Sequence, residues 1–285
     1  MIAQRTWWRI VRALLVVLSR GSLLVLATMI LFPEWWPSDP NLGNPLRLGR
    51  IFLTWCGLPG LAAWLLGRVF AGTYAVTNGT LVLERLHERV EIPCTSIRHV
   101  TPWTVPLPAG GVSLRLGSGR WFRWGLEIAD PPAFADALAD GGAPDELRGA
   151  ARAPAAVLAG SRALATRWID HPVFKFVVFA LVPGIPIFRL HQWVAYGGTF
   201  GEYYMYGLQA YVLAFAIYWM SVIVHLVVFA AVIRTALEPI VMIGAWLVPA
   251  RTLGVRRVVE AAARLLFFGG VFAFLGRLYV QSLGG

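Results

Sequence analysis

Two stretches of the chain hold residues whose types and spacing could do chemistry. The first runs from Phe188-Arg189-Leu190-His191-Gln192 through Gly197-Gly198-Thr199-Phe200-Gly201-Glu202-Tyr203-Tyr204-Met205-Tyr206-Gly207. Arg189 offers a fork of donors to an anion, and His191 with Glu202 would serve as an acid and base pair. Tyr203 and Tyr204 complete this set of ligand or partner candidates. The plainer reading, which we prefer, is an ordered interfacial loop in which Arg189 pairs with Glu202 and the tyrosines form an aromatic belt. The second candidate is His225, in the apolar run Ser221-Val222-Ile223-Val224-His225-Leu226-Val227-Val228. A histidine in such a run is costly, and it serves as a haem or chlorin ligand, a proton carrier or a hydrogen-bond donor to another helix. The interhelix hydrogen bond asks least of the surroundings and is the expectation here. Arg234 and Glu238, four residues apart, read as a salt bridge at a helix end. The sequence holds no glycine-rich phosphate loop, HExxH or zinc-ligand spacing, so we expect no catalytic residue and no metal site.

The elements that would position these residues are apolar. Mean hydropathy is +0.64, and 58% of residues are hydrophobic against 14% charged. Soluble domains carry about a quarter charged residues, so the composition points to an integral membrane protein. Net charge is +10, and every positive side chain except Lys175 is an arginine. The arginines gather where apolar segments end, a pattern suited to cytoplasmic loops and anionic lipid headgroups rather than to nucleic acid. Cys56 and Cys94 stand far apart and suggest neither a disulfide framework nor a cysteine metal site.

Five spans are expected, with four or six as the alternatives because Val173 to Ile187 and Ile240 to Val248 each read two ways. Trp7 to Phe32 reads as an uncleaved signal anchor, with Arg20 deep enough that the span proper begins near Gly21 and Val11 to Ser19 lies along the interface. Pro33 to Pro40 forms an outer loop with adjacent tryptophans. Arg50 to Val69 returns the chain. Val173 to Ile187 is marginal in length and broken by Pro183-Gly184-Ile185-Pro186. Tyr206 to Ile233 is the fourth span, and Ile240 to Val248, too short to cross, reads as a re-entrant or interfacial turn. Val258 to Tyr279 is the last, with Arg264 and Arg277 snorkelling near its ends.

Between the second and third spans the pattern changes to period 2. Tyr74 and Val76, then Asn78-Gly79, then Leu81 and Leu83 describe a hairpin around the dipeptide that type I′ turns favour. Further β-like runs follow at Val90 to Pro93, Ile97 to Trp103, Val112 to Leu116 and Trp121 to Ile128. Asp130-Pro131-Pro132 then opens a helix with Phe134 and Leu138 on one face. The expected core is Val76, Leu81, Ile92, Ile97, Leu114 and Ile128 with Phe134 and Leu138. On Tyr74-Ala75-Val76-Thr77-Asn78, Val90-Glu91-Ile92-Pro93 with Ile97 and Val100, and Ile128-Ala129-Asp130-Pro131 before Phe134, this stretch resembles the bacterial pleckstrin-homology-like domains found beside transmembrane helices. About six strands are counted where that family has seven. The resemblance covers roughly a quarter of the chain and implies a binding or scaffolding module without catalytic residues.

The expected fold class is therefore an α-helical integral membrane protein with an inserted small antiparallel β domain. Residues 1–71 hold two transmembrane helices and residues 72–140 the PH-like domain. Residues 141–170 form a linker and an amphipathic helix, Pro154 to Trp168, that lies in the headgroup layer or packs as a soluble connector. Residues 171–285 hold about three further spans. The arginine distribution sets the N-terminus and the β domain in the cytoplasm of a bacterium, on a multi-pass chain in its inner membrane. The function expected is that of a non-catalytic scaffold or accessory subunit that docks onto other membrane protein subunits. A transporter or channel component, and a membrane enzyme or pigment-binding protein using His225 or the Arg189 to Glu202 loop, are the alternatives.

Overall fold

Residues 1–32, 35, 44–85, 88–104, 109–151, 153–165 and 167–283 are described in a computed structural model of the chain. The chain divides into two compact units, one of residues 1–19, 59–166 and 237–260, the other of residues 20–58, 167–236 and 261–285.

The first unit is built on seven antiparallel strands: β1 (Ile2–Gln4), β2 (Thr73–Thr77), β3 (Thr80–Arg85), β4 (Glu88–Pro93), β5 (Ile97–Pro102), β6 (Gly111–Leu116) and β7 (Gly125–Glu127). One sheet has the order β2-β3-β4 and the other β1-β7-β6-β5. Asn78 and Gly79 both adopt positive φ, 51° and 73°, the geometry a type I′ turn demands of both central residues. The strand beyond the expected six comes from the start of the chain: β1 lies antiparallel to β7 with Ile2 opposite Glu127. Three residues carry too little period-2 pattern to show as a strand.

Alternation sends Leu81, Leu83, Ile92, Ile97, Val100, Val112, Leu114 and Leu126 into one core with Ala3. Asp130 caps the helix α3 (Pro131–Asp140) by accepting from the Ala133 N–H at 3.2 Å, and Phe134 and Leu138 of α3 are fully buried in the core. Val76 packs against it from a partly buried position. The stretch read as a linker is part of the domain. Ala143 and Leu147, the latter opening the short helix α4 (Leu147–Ala151), are buried in the same core. The next helix, α5 (Pro154–Ala165), buries Leu158 against Val241 and Ala245.

Among the described residues five helices are long and apolar enough to cross a membrane: Thr6–Leu31, Pro45–Val69, Val173–Tyr196, Gly201–Leu247 and Pro249–Gly276. Thr6–Leu31 is one continuous helix, without a separate interfacial segment over Val11 to Ser19. Within the first unit it meets Pro45–Val69 through Arg12, whose Nε donates to the Ala63 carbonyl at 3.1 Å. A Cβ on Gly67 would lie 3.1 to 3.2 Å from that guanidinium, so glycine is what lets the arginine lie flat on the helix. Arg12 also forms an ion pair with Glu127 of β7. Of the expected outer loop Pro33 to Pro40, all but Trp35 lies outside the described residues.

In the second unit, Leu26 and Ala27 pack with Leu48, Val224 and Val228. Val173–Tyr196 continues through Pro183 and Pro186 and ends nine residues beyond the expected Ile187, with Gly197 as its C-cap. Its opening stretch, Val173–Val178, is π-helical, and Trp219 donates to the Val177 carbonyl at 3.1 Å. Gly201–Leu247 is the longest element. It bends at Gly207, where φ is +83°, and then runs on through Pro239. The re-entrant turn read over Ile240 to Val248 is thus helix. Proline lacks one hydrogen bond there, while Glu238 is held by Arg162 and Arg256 and Val241 and Ala245 are buried, and these contacts keep the helix in register.

Phe134 makes an edge-on contact with Tyr74 at 5.1 Å at the centre of the β core. Phe134→Ala in the full chain should cost the first unit about 3 to 5 kcal/mol. Limited proteolysis of residues 72–147 at rising temperature reads this directly. Equal cutting temperatures for variant and parent would show that the packing around Phe134 is misassigned.

Candidate functional site

The glycine- and tyrosine-rich stretch is helix on both sides of a short turn. Arg189, His191 and Gln192 occupy the last turns of Val173–Tyr196, and Glu202 opens Gly201–Leu247. Glu202 turns to Gln192 instead of Arg189. Gln192 Nε2 donates to Glu202 Oε2 at 2.6 Å, and the Glu202 N–H donates to Gln192 Oε1 at 3.2 Å. The amide satisfies the carboxylate and the helix N-terminus together, and both residues are buried. The glycine turn places Glu202 at a first helical turn, where backbone N–H groups and the dipole favour an acid. Arg189 is exposed, as are Tyr203 and Tyr204.

His191 and Glu202, expected as an acid and base pair, are not hydrogen-bonded to each other among the described residues. The His191 ring lies on Tyr218 at 4.7 Å and edge-on to Tyr196 at 6.0 Å. Tyr211 donates to the Thr199 carbonyl at 3.4 Å. This is an aromatic and amide lock across a helix-turn-helix, without a nucleophile beside a base.

His225 departs from the interhelix expectation. Its Nδ1 lies 2.7 Å from the Ser221 carbonyl one turn earlier on the same helix, and the residue is exposed. Its neighbours Val224 and Val228 are buried in the core. Because its partner is a carbonyl, Nδ1 carries the proton that is donated to it. No group of three or more His, Cys, Asp or Glu residues able to hold a metal occurs among the described residues.

The strongest polar contacts lie elsewhere and cross long sequence separations. Arg256 pairs with Glu238 at 3.0 Å and with Glu260 at 3.1 Å, and Arg162 makes a further ion pair with Glu238. Arg264 grips Asp170 through Nη2 at 2.6 Å and Nε at 3.2 Å, with the two side chains only 12% and 10% exposed. Arg264 is therefore paired within the protein and does not snorkel; the side chain of Arg277 lies outside the described residues. In sequence Asp170 shows only as a helix breaker before His171-Pro172, and nothing in the spacing ties it to an arginine 94 residues on.

Burial alone would push the Asp170 carboxyl up. Hydrogen bonds from Arg264 and from the Arg167 N–H, with the Arg264 and Lys175 charges, outweigh burial and hold it below its ordinary value of 3.8. A carboxyl with a depressed folded-state value contributes stability above its unfolded value and loses it as pH falls through the folded one. Asp170→Asn should therefore lower stability at neutral pH by about 3 kcal/mol, since Arg264 loses the Asp170 carboxylate. In detergent melts at stepped pH the gap between parent and variant should close below pH 3.8. A gap that is constant with pH would show that the pair contributes nothing through its charge.

No family model, curated protein or solved structure matches this chain, so its functional reading rests on its own geometry.

Proposed function

We propose that this chain is a non-catalytic integral membrane scaffold, with its long helices in the bacterial inner membrane and a PH-like β domain on the cytoplasmic side. In this reading it docks onto other membrane protein subunits and stabilises their complex. The observation that carries the proposal is the division of labour among side chains. Several polar groups of the long helices meet partners within the protein, as in Arg12 with Glu127 of β7, Gln192 with Glu202, and Arg264 with Asp170. What these helices present outward is apolar and aromatic, with Trp55, Trp64, Trp193, Tyr204 and Trp246 all more than half exposed. Large aromatic side chains carry most of the binding energy at protein interfaces. Transport would ask for polar groups along a path, and chemistry for reacting groups aimed at one point. The arginines at the N-terminus and after the β domain support the cytoplasmic orientation.

Extraction from the native membrane in mild detergent tests the scaffold. The chain should migrate within a larger assembly, and replacing Trp55, Trp64 and Trp193 together by Ala should release it while leaving its own folding intact. Migration of the parent as a lone species, with substrate movement after reconstitution, would favour a transporter.

His225 supports a second reading. An imidazole whose Nδ1 is tied to a carbonyl and whose Nε2 faces outward has the arrangement of an axial ligand to a haem or chlorin metal. Absorbance spectra of the gently purified protein separate the two. A scaffold predicts that His225→Gln changes neither abundance nor spectrum, whereas a visible band lost at normal abundance would replace the scaffold with a pigment-binding protein.

A further inference from the structure

Where the β unit meets the ends of two long helices, aromatic rings and guanidinium groups alternate. The Trp8 and Phe70 rings lie 5.7 Å apart. The Arg85 guanidinium sits 4.7 Å above Phe70 and 5.6 Å from the Trp124 ring, and Arg123 covers Trp124 at 4.6 Å. Arg85 also donates to the Ala3 carbonyl at 3.3 Å. Among the described residues no carboxylate pairs with Arg85. Glu88, opposite it in the β3–β4 register, makes its ion pair with Arg123 at 3.5 Å, where both side chains are more than half exposed. Such a pair is weak. Exposed Arg5 and Arg68 flank the same junction.

We propose that this junction binds the phosphate of an anionic phospholipid headgroup. The inference rests on the membrane reading above. A guanidinium held flat by rings keeps its plane fixed, and a fixed fork of donors suits the oxygens of a phosphate. The apolar surface places the headgroup at the same level. Trp7, Trp8 and Val69 are exposed where the two helices reach the β unit, and tryptophans at the end of an apolar helix mark the headgroup layer. Leu14, Trp64 and Leu65, exposed further along the same helices, give acyl chains a surface to lie on. The excess of arginine selects a net negative headgroup over a zwitterionic one.

The test is native mass spectrometry of the full-length protein released from vesicles of phosphatidylcholine containing about a quarter phosphatidylglycerol, a composition chosen to give the surface net negative charge. The parent should retain phosphatidylglycerol in preference to phosphatidylcholine, and Arg85→Gln/Arg123→Gln should lower that preference about thirtyfold, the effect of two charges near an anionic surface. Because Arg85 also holds β1, a second variant, Arg5→Gln/Arg123→Gln, is read alongside, and it should show the same loss with an unchanged melting temperature. Equal retention of both lipids by the parent, or unchanged preference in the second variant, overturns the proposal. Displacement of the lipid by millimolar inorganic phosphate would mean a free-anion site and equally overturn it. A chain that fails to enter vesicles at all refutes the membrane reading instead, so the two failures are told apart.

Discussion

Arg12 is the group on which the rest of the first unit depends. A guanidinium in an apolar helix must have its donors met, because an unpaired buried charge costs several kcal/mol. Its Nε goes to the Ala63 carbonyl and its terminal nitrogens to Glu127. Each partner imposes a condition. Gly67, without a side chain, leaves the guanidinium room beside that carbonyl, and Glu127 faces the arginine because alternation in β7 turns its neighbour Leu126 into the core. Glu127 is also held through its backbone, by Ile2 of β1. The chain thus closes a ring: β1 pairs with β7, runs on into the helix Thr6–Leu31, and ten residues after Ile2 returns to Glu127 through a side chain. The segment 70–72 shuts the other side of β1, with the Ala3 N–H donating to the Phe70 carbonyl and the Gly72 N–H to the Met1 carbonyl.

The same economy governs the other charged residues of the long helices. Arg162, Glu238, Arg256 and Glu260 form one cluster with equal numbers of each sign, and Arg256 at its centre is 3% exposed. Pairs of this kind add little net stability, because desolvation consumes most of the attraction, yet removing either member is expensive. They act as register marks. Near Pro239, where a helix would readily kink, Glu238 can meet both arginines in only one rotation of the helix.

The β core was readable because it depends on local signals. Asn78-Gly79 determines a turn by its own conformational freedom, Asp130-Pro131 determines a helix start, and the alternation around Leu81, Ile97 and Leu114 determines one face of a sheet. The five apolar helices were readable for the same reason. What escaped depends on partners far away in sequence. Ile2 to Gln4 becomes a strand because β7 offers an open edge, and Ala143 and Leu147 join the core because α3 turns the chain back over it. Proline was over-read: Pro183, Pro186 and Pro239 are accommodated within helices whose packing holds them. In the candidate site the spacing from Arg189 to Glu202 suggested an ion pair, and the buried Gln192, silent in a charge pattern, is the residue Glu202 meets.

The seating of β1 beside β7 also sets an order of events during synthesis. Ile2 leaves the ribosome 125 residues before its register partner Glu127. At 5 to 20 residues per second that interval is on the order of ten seconds. During it the apolar helix Thr6–Leu31 must already be placed, while the strand in front of it waits without a hydrogen-bonding partner. Once β7 is made, its free edge is a template for any extended segment until β1 arrives. The link through residue 5 keeps β1 next to the helix that carries Arg12, so the local concentration of the right strand at that edge stays high. Docking of the arginine and pairing of the strand then become one step, and a strand made early finds its place late.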